Sequence, residues 1–182
     1  IFEKVHGNVS LMMQKEGGVK EKLFNWATGV GGKVSELTVA GKSPGMVLGA
    51  QHALADRLVL STVRNRFGGN IRFFISGSAA LNPEISRWFH SVGLLVAEGY
   101  GLTETSSAAY VNRVVAYKIG SVGWPLPGLE TRIAEDGEIL LRGEGIMQGY
   151  HNNPEATAEV LDEEGWFHTG DIGELDGRGF LR

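Results

Sequence analysis

The sequence predicts an α/β fold: part of a parallel α/β sheet domain, residues 1–112, followed by a small antiparallel, β-barrel-like subdomain, residues 113–182. Two observations predict it. Two apolar runs, Asn70 to Gly77 and Val92 to Ala97, flank a short amphipathic stretch. A strand–helix–strand order of this kind implies a parallel pair with a right-handed crossover. Beyond Asn112 the pattern changes to short alternating runs punctuated by Asp-Gly turns, the signature of hairpins.

From Ile1 to Gly29 the apolar positions Phe2, Val5, Val9, Met12 and Met13 recur at helical spacing, and Leu23, Phe24 and Trp26 continue an apolar face after Gly17-Gly18. This Met-rich face reads as core, with the wall of a lipid site as the alternative. Gly29 to Gly45, rich in Gly, Lys and Ser, reads as loop. Met46 to Phe67 reads as a helix with Leu48, Leu54, Leu58 and Val59 inward, Arg57, Arg64 and Arg66 outward, and Gly68-Gly69 as its stop. The run IRFFISG predicts a buried strand. Asn82 and Pro83 then start a helix with Trp88 and Phe89 facing in, and the strand from Val92 comes next.

In the second half, strands are expected over Thr131 to Ala134, Glu138 to Arg142, Phe167 to Gly170 and Ile172 to Leu175. The turn Glu135-Asp136-Gly137 joins the first two, and Asp176-Gly177-Arg178-Gly179 leads into a last strand. A helix starts after Asn153, with Pro154 at its first position.

Bulk properties narrow the field. The 182 residues suffice for one domain or two small ones, and 42% hydrophobic content allows a core. With no cysteine, disulfides, thiolate metal sites and thiol catalysis are excluded. A net charge of −4 gives no electrostatic argument for nucleic acid or an anionic membrane surface. The chain begins at Ile1 rather than Met and its last residues, Gly179 to Arg182, read as a strand without a cap, so an internal fragment is expected.

The stretch Glu98 to Ser106, EGYGLTETS, carries the densest chemistry. Glycines at a strand end let the backbone approach a flat or anionic ligand. Tyr100 offers a stacking face. Thr103, Glu104 and Thr105 are hard oxygen groups of the kind that hold Mg²⁺ beside a phosphate. The local pattern is equally that of a Gly-rich turn capping a helix. Ligands of open parallel sheets bind beyond the carboxyl ends of strands. Both ends here, Gly77-Ser78-Ala79-Ala80 and Gly99-Tyr100-Gly101, are small or Gly-rich and are expected side by side, as a slot for a planar ring.

YGLTET resembles the signature of the adenylate-forming superfamily: acyl-CoA synthetases, luciferases and the adenylation domains of peptide synthetases. Two more resemblances come in order, GEILLRGEGIMQGY with NNPEAT behind it (Gly137 onward) and GWFHTGDIG (Gly165 to Gly173). They cover the chain from Phe73 onward and, more loosely, the part before it. The resemblance implies ATP, Mg²⁺ and CoA as cofactor and cosubstrates. It implies that Glu104 holds Mg²⁺ against the α-phosphate, that Thr103 bonds the phosphate, and that Tyr100 stacks on adenine. Thr103 and Glu104 are thus the candidate catalytic residues. Gly77, Ser78 and Ala79 would line the adenine and acyl pocket, with Gly99 and Gly101 beside them. Glu98 stands where the family often has glutamine. It can accept from the adenine amine but cannot donate to a ring nitrogen unless protonated. Asp171 resembles the aspartate that accepts from both ribose hydroxyls. His168 reads as a strand histidine with a structural hydrogen bond, Arg142 as a link between strands, and Met147 as core.

Ile1-Phe2-Glu3-Lys4-Val5, SGSAAL and EGYGLTETSSA resemble the long-chain fatty acyl-CoA synthetase branch. The resemblance implies two steps. A fatty carboxylate attacks ATP to give acyl-adenylate and pyrophosphate, then the CoA thiol displaces AMP. The phosphate loop and the small C-terminal domain with its catalytic lysine are expected outside this chain, so the fragment alone is expected to be inactive. A cytoplasmic enzyme is implied, with peripheral membrane association and oligomerisation compatible with it. An acyl carrier protein as acceptor, another adenylate-forming enzyme, and a noncatalytic nucleotide- or lipid-binding module of the same fold are the alternatives.

Overall fold

The computed structural model describes all 182 residues, and the chain divides into two compact units. One comprises Ile1–Ile75 and Leu81–Val96, the other Ser76–Ala80 and Ala97–Arg182.

The first unit is mainly helical. Helix α1 (Phe2–Glu16) ends at Gly17, whose φ of 61° suits glycine. Helix α2 (Gly18–Val39) runs straight through the segment from Gly29 that composition marks as loop. The reason is packing. Phe24, Ala27, Val30, Gly31 and Ser35 form one buried stripe at helical spacing. At Gly31 a Cβ would stand 2.0 Å from the Ser91 carbonyl oxygen, so the glycine permits a close approach rather than ending the helix. Only the stretch after Val39, up to Gly45, is loop.

Helix α3 (Met46–Ala55) passes through a π turn, Asp56–Leu60, into α4 (Ser61–Arg66). The single predicted helix is thus present, with its phase shifted. Ala55 ends α3 buried and Leu54 is half exposed, and the wider π winding then carries Leu60 and Val63 into the core and leaves Leu58 half exposed, not inward. Arg64 is not a free outward charge either. Its guanidinium pairs with Asp56 at 2.7 Å and donates to the Val92 carbonyl at 3.0 Å.

Strand β1 (Phe73–Ser76) is shorter than expected and not fully buried, since Ile75 is 67% exposed. Helix α5 (Pro83–Ser91) is capped as predicted. The Asn82 side chain accepts from the Glu84 N–H at 2.8 Å, and Pro83 opens the helix. Phe89 is wholly buried among Phe2, Phe67 and Phe74, with edge-to-face ring contacts of 5.3 to 6.1 Å. Strand β2 (Leu95–Tyr100) leads into the second unit.

The sheet order is β1-β2-β3-β4, with β3 (Tyr110–Val111) antiparallel to β2 and β4 (Trp124–Pro125) antiparallel to β3. β1 and β2 are neighbours, as the strand–helix–strand pattern predicts. The second sheet is antiparallel, in the order β5 (Leu129–Ile133), β6 (Glu138–Gly143), β7 (Phe167–Ile172). It has three strands and does not close, which corrects the barrel-like expectation. The strand expected at Phe167 extends to Ile172 as β7, the one expected over Ile172 to Leu175 does not form beyond it, and the terminal segment makes only isolated bridges, Leu181 with Gly123 and with Leu175. Too few residues pair there to continue a ladder. The Asp136-Gly137 turn between β5 and β6 is as predicted, with Asp136 accepting from the Glu138 N–H at 3.0 Å. Helix α6 (Pro154–Val160) is capped by Asn153, which accepts from the Ala156 N–H.

Candidate nucleotide site

The site is built at the end of β2. Its first four residues, Leu95 to Glu98, are buried, which fixes the strand in the core and holds its last two residues, Gly99 and Tyr100, at the edge of that core. Gly99 pairs with Val111 and Tyr100 with Tyr110. The chain then turns. At Gly101 a Cβ would meet the Ser107 carbonyl oxygen at 1.7 Å, so only glycine lets the loop fold back on itself. Thr103–Thr105 form one turn of 3-10 helix. Buried Thr105 locks it, accepting from the Leu102 N–H at 2.9 Å and donating to the Leu102 carbonyl at 3.0 Å. Thr103 is left exposed.

Ser78, Gly101, Leu102, Thr103, Glu104, Ser106 and Ser107 line one open concavity. The two small-residue strand ends are therefore adjacent, as expected: Gly77 also comes within 3.5 Å of the Gly99 carbonyl, measured from a Cβ built on it. Ser78 takes a left-handed φ of 68° to enter the concavity. Gly77, Ala79, Glu98 and Gly99 do not line it, and Glu98 is only 6% exposed. The Glu98 main-chain carbonyl accepts from the Asn112 N–H at 2.9 Å.

Tyr100 and Asp171 are brought together from distant segments. The Tyr100 hydroxyl donates to Asp171 Oδ2 at 2.7 Å. Burial, and secondarily the Asp171 carboxylate, pushes the Tyr100 hydroxyl far above the usual phenol range, so it remains a donor. The end of β7 that carries Asp171 is braced from β6. Glu138 accepts from His168 Nδ1 at 2.9 Å and from the Gly170 N–H at 2.8 Å, and the Thr169 hydroxyl donates to the Ile139 carbonyl. His168 thus has the structural hydrogen bond its strand position predicts.

Sequence reasoning misses Tyr150. Its hydroxyl donates to Glu104 Oε1 at 2.8 Å across 46 residues of chain. The only signal is a tyrosine ending a Gly-rich run, which reads equally well as a surface aromatic. The run around it reads as structural, and in part it is. Arg142 forks onto both Glu130 carboxylate oxygens, at 3.1 and 2.6 Å, joining β6 to β5. Arg132 and Arg142 lie over the Trp166 ring at 4.4 and 4.5 Å.

No cluster of three or more His, Cys, Asp or Glu stands ready to hold a metal by itself. The concavity offers one carboxylate, Glu104, among the hydroxyls of Thr103, Ser106 and Ser107. That donor set suits an ion which keeps waters and takes its remaining ligands from substrate phosphates, as Mg²⁺ does.

A family model described as AMP-binding enzyme matches residues 30–151. The chain belongs to the AMP-binding enzyme family. This AMP-binding chain is 41% identical over 181 residues to the long-chain-fatty-acid–CoA ligase FadD15 of Mycobacterium bovis, which covers all of the chain and 30% of that ligase. It is 37% identical over 187 residues to the human long-chain-fatty-acid–CoA ligase ACSBG2, covering 28% of it. Among solved structures it is similar to the o-succinylbenzoate coenzyme A synthetase of Bacillus subtilis in complex with ATP and magnesium ion. There the TM-score is 0.53 at 31% identity, over 61% of this chain and 26% of that one. The AMP-binding chain spans less than a third of the length of the curated relatives it matches.

Proposed function

We propose that this chain is part of an AMP-forming long-chain fatty acid–CoA ligase and contributes the adenine, ribose and metal-facing walls of its adenylation site. The observation that carries the reading is the bond between Tyr100 and Asp171. An aromatic ring able to stack on a base and a carboxylate able to accept from a vicinal diol stand together, as a nucleoside requires. The relatives named as long-chain-fatty-acid–CoA ligases support the substrate class.

In this reading the fatty carboxylate attacks the α-phosphorus of ATP, expelling pyrophosphate. The CoA thiol then attacks the acyl carbon of the adenylate and AMP leaves. Asp171 orients the ribose, and Thr103 donates its hydroxyl to the α-phosphate. Glu104 would hold Mg²⁺, which offsets the repulsion between the anionic reactants. The Ser78 and Ser107 hydroxyls, which also line the concavity, are further donors for phosphate oxygens. The phosphate loop and the catalytic lysine are assigned to the rest of the parent protein, as are any membrane contact and oligomer interface.

The test is ATP–pyrophosphate exchange by the full-length enzyme with acetate, octanoate, palmitate, benzoate and an amino acid. Exchange should be strongest with palmitate. Exchange confined to a short-chain, aromatic or amino acid would overturn the substrate class, and no exchange with any acid would overturn the reaction.

A further inference from the structure

Glu104 is held by more than its own turn. Its main-chain carbonyl accepts from the Met147 N–H at 2.8 Å, and the neighbouring Ser106 hydroxyl donates to the Gly145 carbonyl at 2.8 Å. Its side chain is held by the Tyr150 hydroxyl, at 2.8 Å on Oε1. One stretch, Gly145 to Tyr150, therefore grips both the backbone and the carboxylate of a single glutamate.

The gripping tyrosine is itself fixed. The Tyr150 N–H donates to Thr157 Oγ1 at 2.9 Å, and the Tyr150 carbonyl accepts from the Asn153 N–H at 3.2 Å. Thr157 in turn donates to the Asn153 carbonyl at 2.9 Å. Gly149 stands at φ 144°, and a Cβ on it would come within 2.8 Å of Thr157 Cγ2. Glycine there lets Tyr150 approach the first turns of α6 closely. The ring is thus tied to the capped start of a helix, and its reach to Glu104 is set by that helix.

A carboxylate can offer a metal either oxygen, or both at once. Donation to Oε1 engages one oxygen and restrains the rotation of the group, which leaves Oε2 as the oxygen without the tyrosine. Tyr150 and Glu104 are both partly open to solvent, where a lone hydrogen bond contributes little to folding. Its consequence is orientation. A tyrosine hydroxyl, with an ordinary pKa of about 10, stays a donor through the neutral range.

We propose that Tyr150 is a positioning residue: it fixes the Glu104 carboxylate so that Oε2 alone faces the concavity as a one-oxygen ligand for the metal–phosphate complex. The inference rests on the adenylation reading of the site. Outer partners of this kind tune metal affinity because a ligand that must first be oriented binds more weakly.

The experiment uses the full-length enzyme and its variants Y150F, E104Q and the double variant. ATP binding is measured by calorimetry as a function of Mg²⁺ concentration, beside pyrophosphate exchange and Tm. Y150F should raise the Mg²⁺ concentration needed for half-maximal ATP binding by on the order of 10-fold. ATP affinity at saturating Mg²⁺ and Tm should stay near wild type. The double variant should behave as E104Q alone, since the hydroxyl acts only through the carboxylate. T157V, which loosens the anchor and leaves the hydroxyl, should shift the Mg²⁺ dependence in the same direction by less. A wild-type Mg²⁺ dependence in Y150F, with E104Q impaired, would overturn the positioning role and leave the adenylation reading standing. An unaltered Mg²⁺ dependence in E104Q would overturn the metal role of Glu104 and the inference with it.

Discussion

The Tyr100 hydroxyl donates to Asp171 Oδ2 at 2.7 Å, joining two residues 71 positions apart. Tyr100 ends a strand whose first four residues are buried, and Asp171 sits exposed near the end of β7, which Glu138 braces at Gly170. The bond therefore links two rigid elements. It engages Oδ2 and leaves Oδ1 without the tyrosine.

Replacing Asp171 by Ala in the full-length enzyme should weaken ATP and AMP binding by roughly 10- to 100-fold, the scale of hydrogen bonds to a charged group. Y100F, which keeps the stacking face and loses the hydroxyl, should weaken binding far less. Calorimetry with AMP measures both. Equal losses in the two variants would mean that the hydroxyl, not the diol contact, sets the affinity.

E104Q should lower pyrophosphate exchange by roughly 100-fold or more, the scale seen when a transition-state charge loses one fixed partner. The fold should survive, because Gln keeps the shape and still accepts from Tyr150. Near-normal exchange at limiting Mg²⁺ would exclude a metal role for this side chain.

Gly101→Ala should destabilise the protein by about 1–3 kcal/mol, because its Cβ would stand 1.7 Å from the Ser107 carbonyl and force the loop open. Gly7→Ala is the control. It lies in α1 with nothing within 4 Å of a Cβ, and should be neutral or stabilising by up to about 1 kcal/mol. Urea unfolding of the two variants gives the comparison. Equal midpoints would show that the loop relaxes freely around Gly101.

His90 predicts a pH dependence. Burial holds its imidazole below the usual value, with Nδ1 2.5 Å from the Ser35 hydroxyl. The unfolded chain, with an ordinary pKa of about 6.5, binds the proton more readily than the folded one. This group's contribution is therefore fully present above about pH 6.5 and is lost as pH falls through the depressed folded value. Between pH 7.5 and 5.5, H90Q should flatten the fall in stability measured by chemical denaturation. An unchanged slope would assign the fall to other groups.

Local rules read the capped helices directly. Asn82-Pro83 and Asn153-Pro154 start α5 and α6 because cap and ring act within one turn of chain. The Asp136-Gly137 turn and the apolar runs of β2 and β6 are legible for the same reason. Local rules fail where packing overrides composition. Gly29 to Gly45 has the content of a loop, yet most of it is helix. Gly31 is there to meet Ser91, a residue 60 positions away, and no local pattern holds that contact. The π turn at Asp56–Leu60 rotates the buried face of the next helix in the same way, with no mark in the sequence beyond a continuous helical pattern.

By itself the sequence determined which chemistry is present: Tyr100, Thr103, Glu104 and Asp171, in the first and last of three ordered motifs, on a strand–helix–strand frame without cysteine. Residue types and short spacings carry that information, because caps, turns and strand periods act over a few residues. The tertiary structure alone decided how those groups are held. It bonded Asp171 to Tyr100, gave Glu104 to Tyr150, drew Ser78 to the Gly101–Glu104 turn, and buried Glu98 away from the opening. The physical reason is distance along the chain. Hydrogen bonds across 71 and 46 residues depend on where whole elements pack, and packing is set by the summed contacts of many side chains rather than by the motif that supplies the partner.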